Sequence, residues 1–236
     1  MAGKRKPPTP TASTHTDVQT FVAQVAATPA VRRPQDVGRL IFAMDATASR
    51  EPTWDTASDI QAAMFAETAN LGGLQVQLAY YRGFGEFEVT PWCADSRTLL
   101  PHMTGVTCRA GRTQIARVLS HALAGARRQR VNALVFVGDC MEEDLDRLAD
   151  LAGQLGVLGV PCFMFHEGNE AGARKAFETV AQLSGGACCR FDANSPQQLR
   201  DLLSAVAVYA AGGRPALERF ASDRGGDLKR LTRQLS

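Results

Sequence analysis

Two hydrophobic periods alternate along this chain, one of about two residues and one of about 3.6. Residues 39–44, Arg39-Leu40-Ile41-Phe42-Ala43-Met44, form an apolar run closed by Asp45, as in a strand covered on both faces. Residues 54–71 place Ala57, Ile60, Met64 and Phe65 at helical spacing and stop at Gly72-Gly73. Residues 74–82 and 86–92 read as strands separated only by Gly83-Phe84-Gly85, hence an antiparallel hairpin. An irregular stretch follows. Residues 113–130 then carry Ile115, Val118, Leu119, Ala122, Leu123 and Ala126, an amphipathic helical stripe with arginines at its C-terminal end.

Beyond that point strands and helices alternate strictly. Strand 133–137 leads through Asp139 to a helix over 142–155, and strand 162–165 to a helix over 172–183. Strand 187–191 leads past Ser195-Pro196, an N-cap and first-turn pair, to a helix over 197–211. This order implies a three-layer, doubly wound α/β domain over residues 36–212, its sheet mostly parallel with one antiparallel edge hairpin. Residues 1–35 read as a basic, largely disordered segment. Within it Val18, Phe21, Val22 and Val25 could form one short helical face before Pro29. Residues 213–236 read as a basic polar tail able to form one more short helix.

Charge sharpens the division. Residues 1–33 carry five basic side chains against one acidic, and 213–236 six against three, while the body between them holds fifteen against twenty. Basic ends on an acidic body are read as solubilising, since no recognition helix or stacking motif accompanies them, and nucleic acid is not expected. No apolar run approaches the length of a membrane span or a signal peptide, which points to a cytoplasmic protein. The six cysteines form no C-x-x-C pair, and Cys188-Cys189 must face opposite sides of a strand. They are read as reduced thiols.

In doubly wound folds, ligands sit beyond the carboxyl ends of the strands. There this sequence places Asp45-Ala46-Thr47-Ala48-Ser49, then Gly111-Arg112-Thr113 before a helix, then Gly138-Asp139. Two carboxylates and three hydroxyls are hard oxygen donors, suited to Mg²⁺ or Mn²⁺ rather than zinc. The bland reading has Asp45 and Asp139 capping the helices that follow them. His166, with Glu167 beside it, ends a strand close to the same place and reads as structural. Glu142-Glu143-Asp144 fits the first turn of its own helix, where the helix dipole favours acid.

The five positions Asp45, Thr47, Ser49, Thr113 and Asp139, in this order and at these element ends, resemble the metal-ion-dependent adhesion site of von Willebrand factor A domains. That site pairs a D-x-[ST]-x-S loop with a distant Thr and a distant Asp. The resemblance implies direct metal bonds from Thr47 and Ser49, a direct or water-mediated one from Thr113, and largely water-mediated ones from Asp45 and Asp139. It also implies a non-enzymatic interaction module whose last metal ligand is an Asp or Glu of a partner protein. For stand-alone bacterial-type domains that partner is often a MoxR-type AAA+ ATPase. Arg50, Arg112 and Cys140 depart from the family's usual small residues. The two arginines could compete for the carboxylates or pair with an incoming acid.

One rival belongs to a different class. A metal-dependent phosphate-ester hydrolase would use Asp45 as nucleophile, but Thr47 stands where such enzymes carry the general acid. The loop 105–113 has the wrong glycine spacing for a phosphate-binding loop, and no G-x-S-x-G elbow accompanies the histidines.

Overall fold

The computed structural model describes residues 20–24, 37–191 and 196–223. The basic ends and Ser195 lie largely or wholly outside them. Strands β1 (Gly38–Asp45), β2 (Leu74–Arg82), β3 (Glu86–Val89), β4 (Ala133–Gly138), β5 (Cys162–Glu167) and β6 (Ala187–Phe191) form one sheet in the order β3-β2-β1-β4-β5-β6. All neighbours run parallel except β2 and β3. Helices α1 (Glu51–Thr68), α2 (Ser96–Thr104), α3 (Ile115–Arg128), α4 (Leu145–Val157), α5 (Ala171–Ser184) and α6 (Pro196–Asp223) cover both faces.

Period two decides which residues meet which layer. Leu40, Phe42, Met44, Val135, Val137, Phe163 and Phe165 pack on the side of α1, α2 and α6. Ile41, Ala43, Leu134, Phe136, Cys162 and Met164 pack on the side of α3, α4 and α5. Cys189 belongs to the first core and Cys188 lies against the second, so the adjacent thiols do face opposite ways. The first layer approaches closely at Gly38, where a Cβ would stand 2.5 Å from the Ala210 carbonyl oxygen. Any side chain there would push α6 off the sheet.

The structure changes several sequence expectations. β3 ends at Val89 rather than 92, because Pro91 has no N–H for the ladder. The irregular stretch contains α2, started by Asp95 accepting from the Thr98 N–H at 2.8 Å, although Pro101 interrupts its pattern. The helix expected over 197–211 meets non-helical backbone at Gly213 (φ 68°), and a second arm of α6 follows to Asp223 in the stretch read as able to form one more short helix, burying Ala216 and Leu217.

Part of the expected N-terminal stripe is real. Residues 20–24 form a helical turn, and Phe21 is 1% exposed, its ring 5.2 Å from Phe165 and 6.1 Å from Phe163 in edge contact. Phe21 thus completes the first core over β5. Phe21→Ala should cost about 3 kcal/mol in urea unfolding through the cavity it leaves. An unchanged unfolding midpoint would show that this turn is not docked.

Candidate metal centre

From β1 the chain leads to β2 on one side and, later, to β4 on the other, so the strand order reverses between β1 and β4. Loops leaving adjacent strands there diverge and open a crevice. Asp45 ends β1, opposite Tyr81, and is 1% exposed. Its Oδ1 accepts the Thr47 N–H at 2.7 Å, a short Asx turn that starts the Ala48–Arg50 3₁₀ turn. The Trp54 indole N–H donates to the Asp45 carbonyl at 2.9 Å and ties the first turn of α1 to the strand end. Asp45 Oδ2 is buried with no hydrogen-bond partner.

That environment shows in the acidity of the group. Burial pushes the Asp45 carboxyl up to about 6, with Asp139 adding to the rise and the Thr47 hydrogen bonds and Arg50 opposing it. The Tyr81 hydroxyl, also buried, is held well above its usual range by burial and then by the Asp45 charge.

Asp139 follows β4 across the crevice. The Ser49 hydroxyl donates to its Oδ2 at 2.9 Å, so the two loops meet. Thr113 joins this set through the loop after Asp139. Its hydroxyl accepts the Glu142 N–H at 3.0 Å, and its own N–H donates to the Glu142 carboxylate at 3.2 Å. The structure therefore pairs Asp45 with Thr47 and Ser49 with Asp139, and attaches Thr113 by way of Glu142.

The acidic cluster acts differently from the expectation. Helix α4 begins only at Leu145, capped by Asp144 on the Arg147 N–H at 3.0 Å. Glu143 turns instead to α3, accepting the Ile115 N–H and, at 2.9 Å, the Ala116 N–H. Its charge meets the N-terminal end of a dipole, but that of a distant helix.

Arg50 is the second correction. It is wholly buried, with Nη1 2.5 Å from Glu167 Oε2, which also accepts the Thr53 hydroxyl at 2.7 Å. A guanidinium so placed cannot meet an incoming acid. Its ion pair lacks hydrogen-bond alignment, and Nε and Nη2 are likewise without partners. Such a buried pair is costly to make and more costly to break. Glu167, noted in the sequence only as the neighbour of His166, is the group that holds Arg50 and Thr53 at the carboxyl end of β5. His166, beside it, is 1% exposed and edge-on to Phe177 at 5.4 Å. Burial lowers the pKa of its imidazole below the usual histidine range and so favours the neutral ring.

Backbone bonds lock the remaining loop to this end. The Arg109 N–H donates to the Ala46 carbonyl at 3.0 Å, and the Arg112 N–H to the Gly83 carbonyl at 3.1 Å. Gly111 permits the approach, since a Cβ there would lie 2.0 Å from the Gly83 oxygen. Among the described residues, no three His, Cys, Asp or Glu side chains converge as a metal cluster. The donor set at this end is two carboxylates with hydroxyls around them.

No family model matches the sequence, and no curated protein matches it. Solved structures do. The SpRpn10 VWA domain superposes with a TM-score of 0.55 at 16% identity, over 71% of this chain and 94% of that one. The PilB minor pilin from Streptococcus sanguinis gives 0.55 at 11% identity, over 76% and 62%. Proximal thread matrix protein 1 from the mussel byssus, solved with a zinc-occupied MIDAS motif, gives 0.52 at 13% identity, over 80% of this chain and half of that one. Sheet order, the antiparallel edge strand and these superpositions agree: the chain has the von Willebrand factor A fold.

Proposed function

We propose that this protein is a metal-dependent interaction module that takes up an acidic side chain of a partner protein. The observation that carries the reading is the Asp45 carboxylate, sealed at the end of β1 with Oδ2 unpartnered and its acidity weakened to about 6. A buried charged oxygen without a partner costs more than the roughly 1–3 kcal/mol of a neutral one, and a cation would relieve it. Thr47, Ser49, Thr113, Asp45 and Asp139 are the residues to hold that cation. Thr47 is half-buried and Ser49 exposed, while Asp45 between the strand and this loop is buried. Hard oxygen donors of this kind suit Mg²⁺ or Mn²⁺.

When bound, the cation would supply the positive charge that draws a partner carboxylate to this surface. The chain's own part is to fix the ligands in advance. The Asx turn and the Trp54 bond hold the Asp45 loop, and Glu142 holds Thr113 against the Asp139 loop. A MoxR-type AAA+ ATPase is the partner class that the family resemblance offers. The hydrolase alternative finds less support, because a nucleophile must reach phosphorus in line and Asp45 is 1% exposed. No helix among the described residues is long and apolar enough to cross a membrane.

Calorimetric titration of Mg²⁺ and Mn²⁺ should show saturable binding by the parent and loss of it in Asp45→Ala/Asp139→Ala. Equal binding by the double variant overturns the assignment. Binding should also weaken below about pH 6, where a proton competes for Asp45.

Linkage gives a second expectation for the metal-free protein. The folded Asp45 binds its proton more tightly than the unfolded one, whose value is 3.8. Its stabilising contribution is therefore complete below pH 3.8 and is lost as pH rises through about 6. Asp45→Asn keeps the acceptor for Thr47 and removes the charge. It should stabilise the metal-free protein at pH 7 by ~1–3 kcal/mol, with the gain vanishing near pH 4. Urea unfolding of both proteins across this range, in chelator, checks the sign.

A further inference from the structure

Beside the candidate centre, the β2–β3 hairpin ends in a feature that the fold does not need. Phe84 is 83% exposed at the tip, between Gly83 (φ 58°) and Gly85 (φ 154°). Hairpin tips ordinarily carry Gly, Asn or Asp, and an exposed Phe there contributes nothing to the core. Val157 is equally exposed, but it ends α4 and so lies at the opposite end of the sheet from the centre.

The tip is braced rather than loose. Gly83 accepts the Arg112 N–H, Gly85 accepts from the Arg117 guanidinium at 2.6 Å, and Arg117 lies over the Phe87 ring at 5.3 Å. Arg82 adds a bond to the Thr107 carbonyl at 2.9 Å. The charge around the tip is unbalanced. Glu86 serves both Arg82, at 2.7 Å, and Arg109, at 3.2 Å, and Arg112 is exposed beside them. The loop after Asp139 carries Glu142, whose carboxylate accepts the Thr113 N–H next to Arg112, and Asp144, which caps α4. The Phe84 side of the rim therefore sets Arg82, Arg109 and Arg112 against Glu86 and the exposed Glu88, a small basic surplus.

Gly83 is bonded to Arg112, so Phe84 and Thr113 are each one residue from that bond. Their backbones lie within roughly 13 Å, counting 3.8 Å per residue step. An extended peptide covers that distance in two to four residues.

We infer that Phe84 and the Arg109/Arg112 rim are a second docking point for the same partner. Resting on the metal-dependent reading, this defines the partner segment as an extended acidic peptide. One carboxylate sits at the metal centre, an apolar side chain two to four positions away covers Phe84, and further acids face the arginines. A braced aromatic gives contact area with little ordering cost, which is what a binding hot spot requires. The arginine surplus beside Phe84 favours acidic flanking residues on the peptide.

The test uses labelled, glutamate-flanked synthetic peptides in Mg²⁺: one with an aspartate and a leucine three positions apart, one with serine for the leucine, and one with asparagine for the aspartate. The parent should bind the aspartate–leucine peptide about tenfold more tightly than the serine version. Phe84→Ser should erase that preference, leaving the Mg²⁺ titration unchanged, and Phe84→Trp should keep it. The Arg109→Ser/Arg112→Ser double variant should flatten the salt dependence of binding. If Phe84→Ser retains the parent's preference while binding Mg²⁺ normally, or if no peptide binds in Mg²⁺, the docking point is wrong. If the leucine preference persists in chelator and still needs Phe84, the docking point stands and the coordination reading falls.

Discussion

The carboxyl end of the sheet is organised around one unfavourable placement, the Asp45 carboxylate at the end of a strand that is apolar and buried almost throughout. The strand cannot be shortened without losing the pairing of Asp45 with Tyr81, and at 1% exposure the residue is out of reach of bulk water. One oxygen is satisfied locally by the Thr47 N–H, and the other is not. Neighbouring groups sharpen the problem. Asp139 adds like charge, and the Tyr81 hydroxyl is sealed in alongside. A site of this kind is poised for a cation, because binding one relieves repulsion and desolvation together.

Topology explains why the relief can come from several loops. The strand order reverses between β1 and β4, and the loops that leave them meet through Ser49 and Asp139. The loop after Asp139 in turn supports Thr113 through Glu142 and the start of α3 through Glu143. Arg50 and Glu167 anchor the other side, fastening the Asp45 loop to the end of β5. The arginine that looked available to an incoming ligand is thus a buried fastening. The basic surface that remains is the rim at Arg109 and Arg112.

Much of this was legible in sequence because burial writes a strong pattern. The apolar runs of β1, β4 and β5 and the stripe of α3 identified the layers, and the residues at the strand ends identified the candidate set. Local pattern failed where a distant partner decided the outcome. Glu143 has good chemistry for its own helix, but the free N–H groups of Ile115 and Ala116 take it. Arg50 reads as a surface charge until Glu167, itself held by Thr53, is brought to it. Helix α2 was hidden by Pro101, and Gly213, whose positive φ breaks the helical backbone, separates the two arms of α6. Phe84 was visible as a hairpin residue, but its nearness to Thr113 depends on the Gly83–Arg112 bond.

The most direct test of the central claim is anomalous diffraction from crystals grown in Mn²⁺. The account predicts one strong peak in the crevice between the β1 and β4 ends, within coordination distance of the Ser49 and Thr47 hydroxyls, with the Ser49–Asp139 hydrogen bond rearranged around it. An empty crevice with Ser49 still bonded to Asp139 at high Mn²⁺ would contradict it.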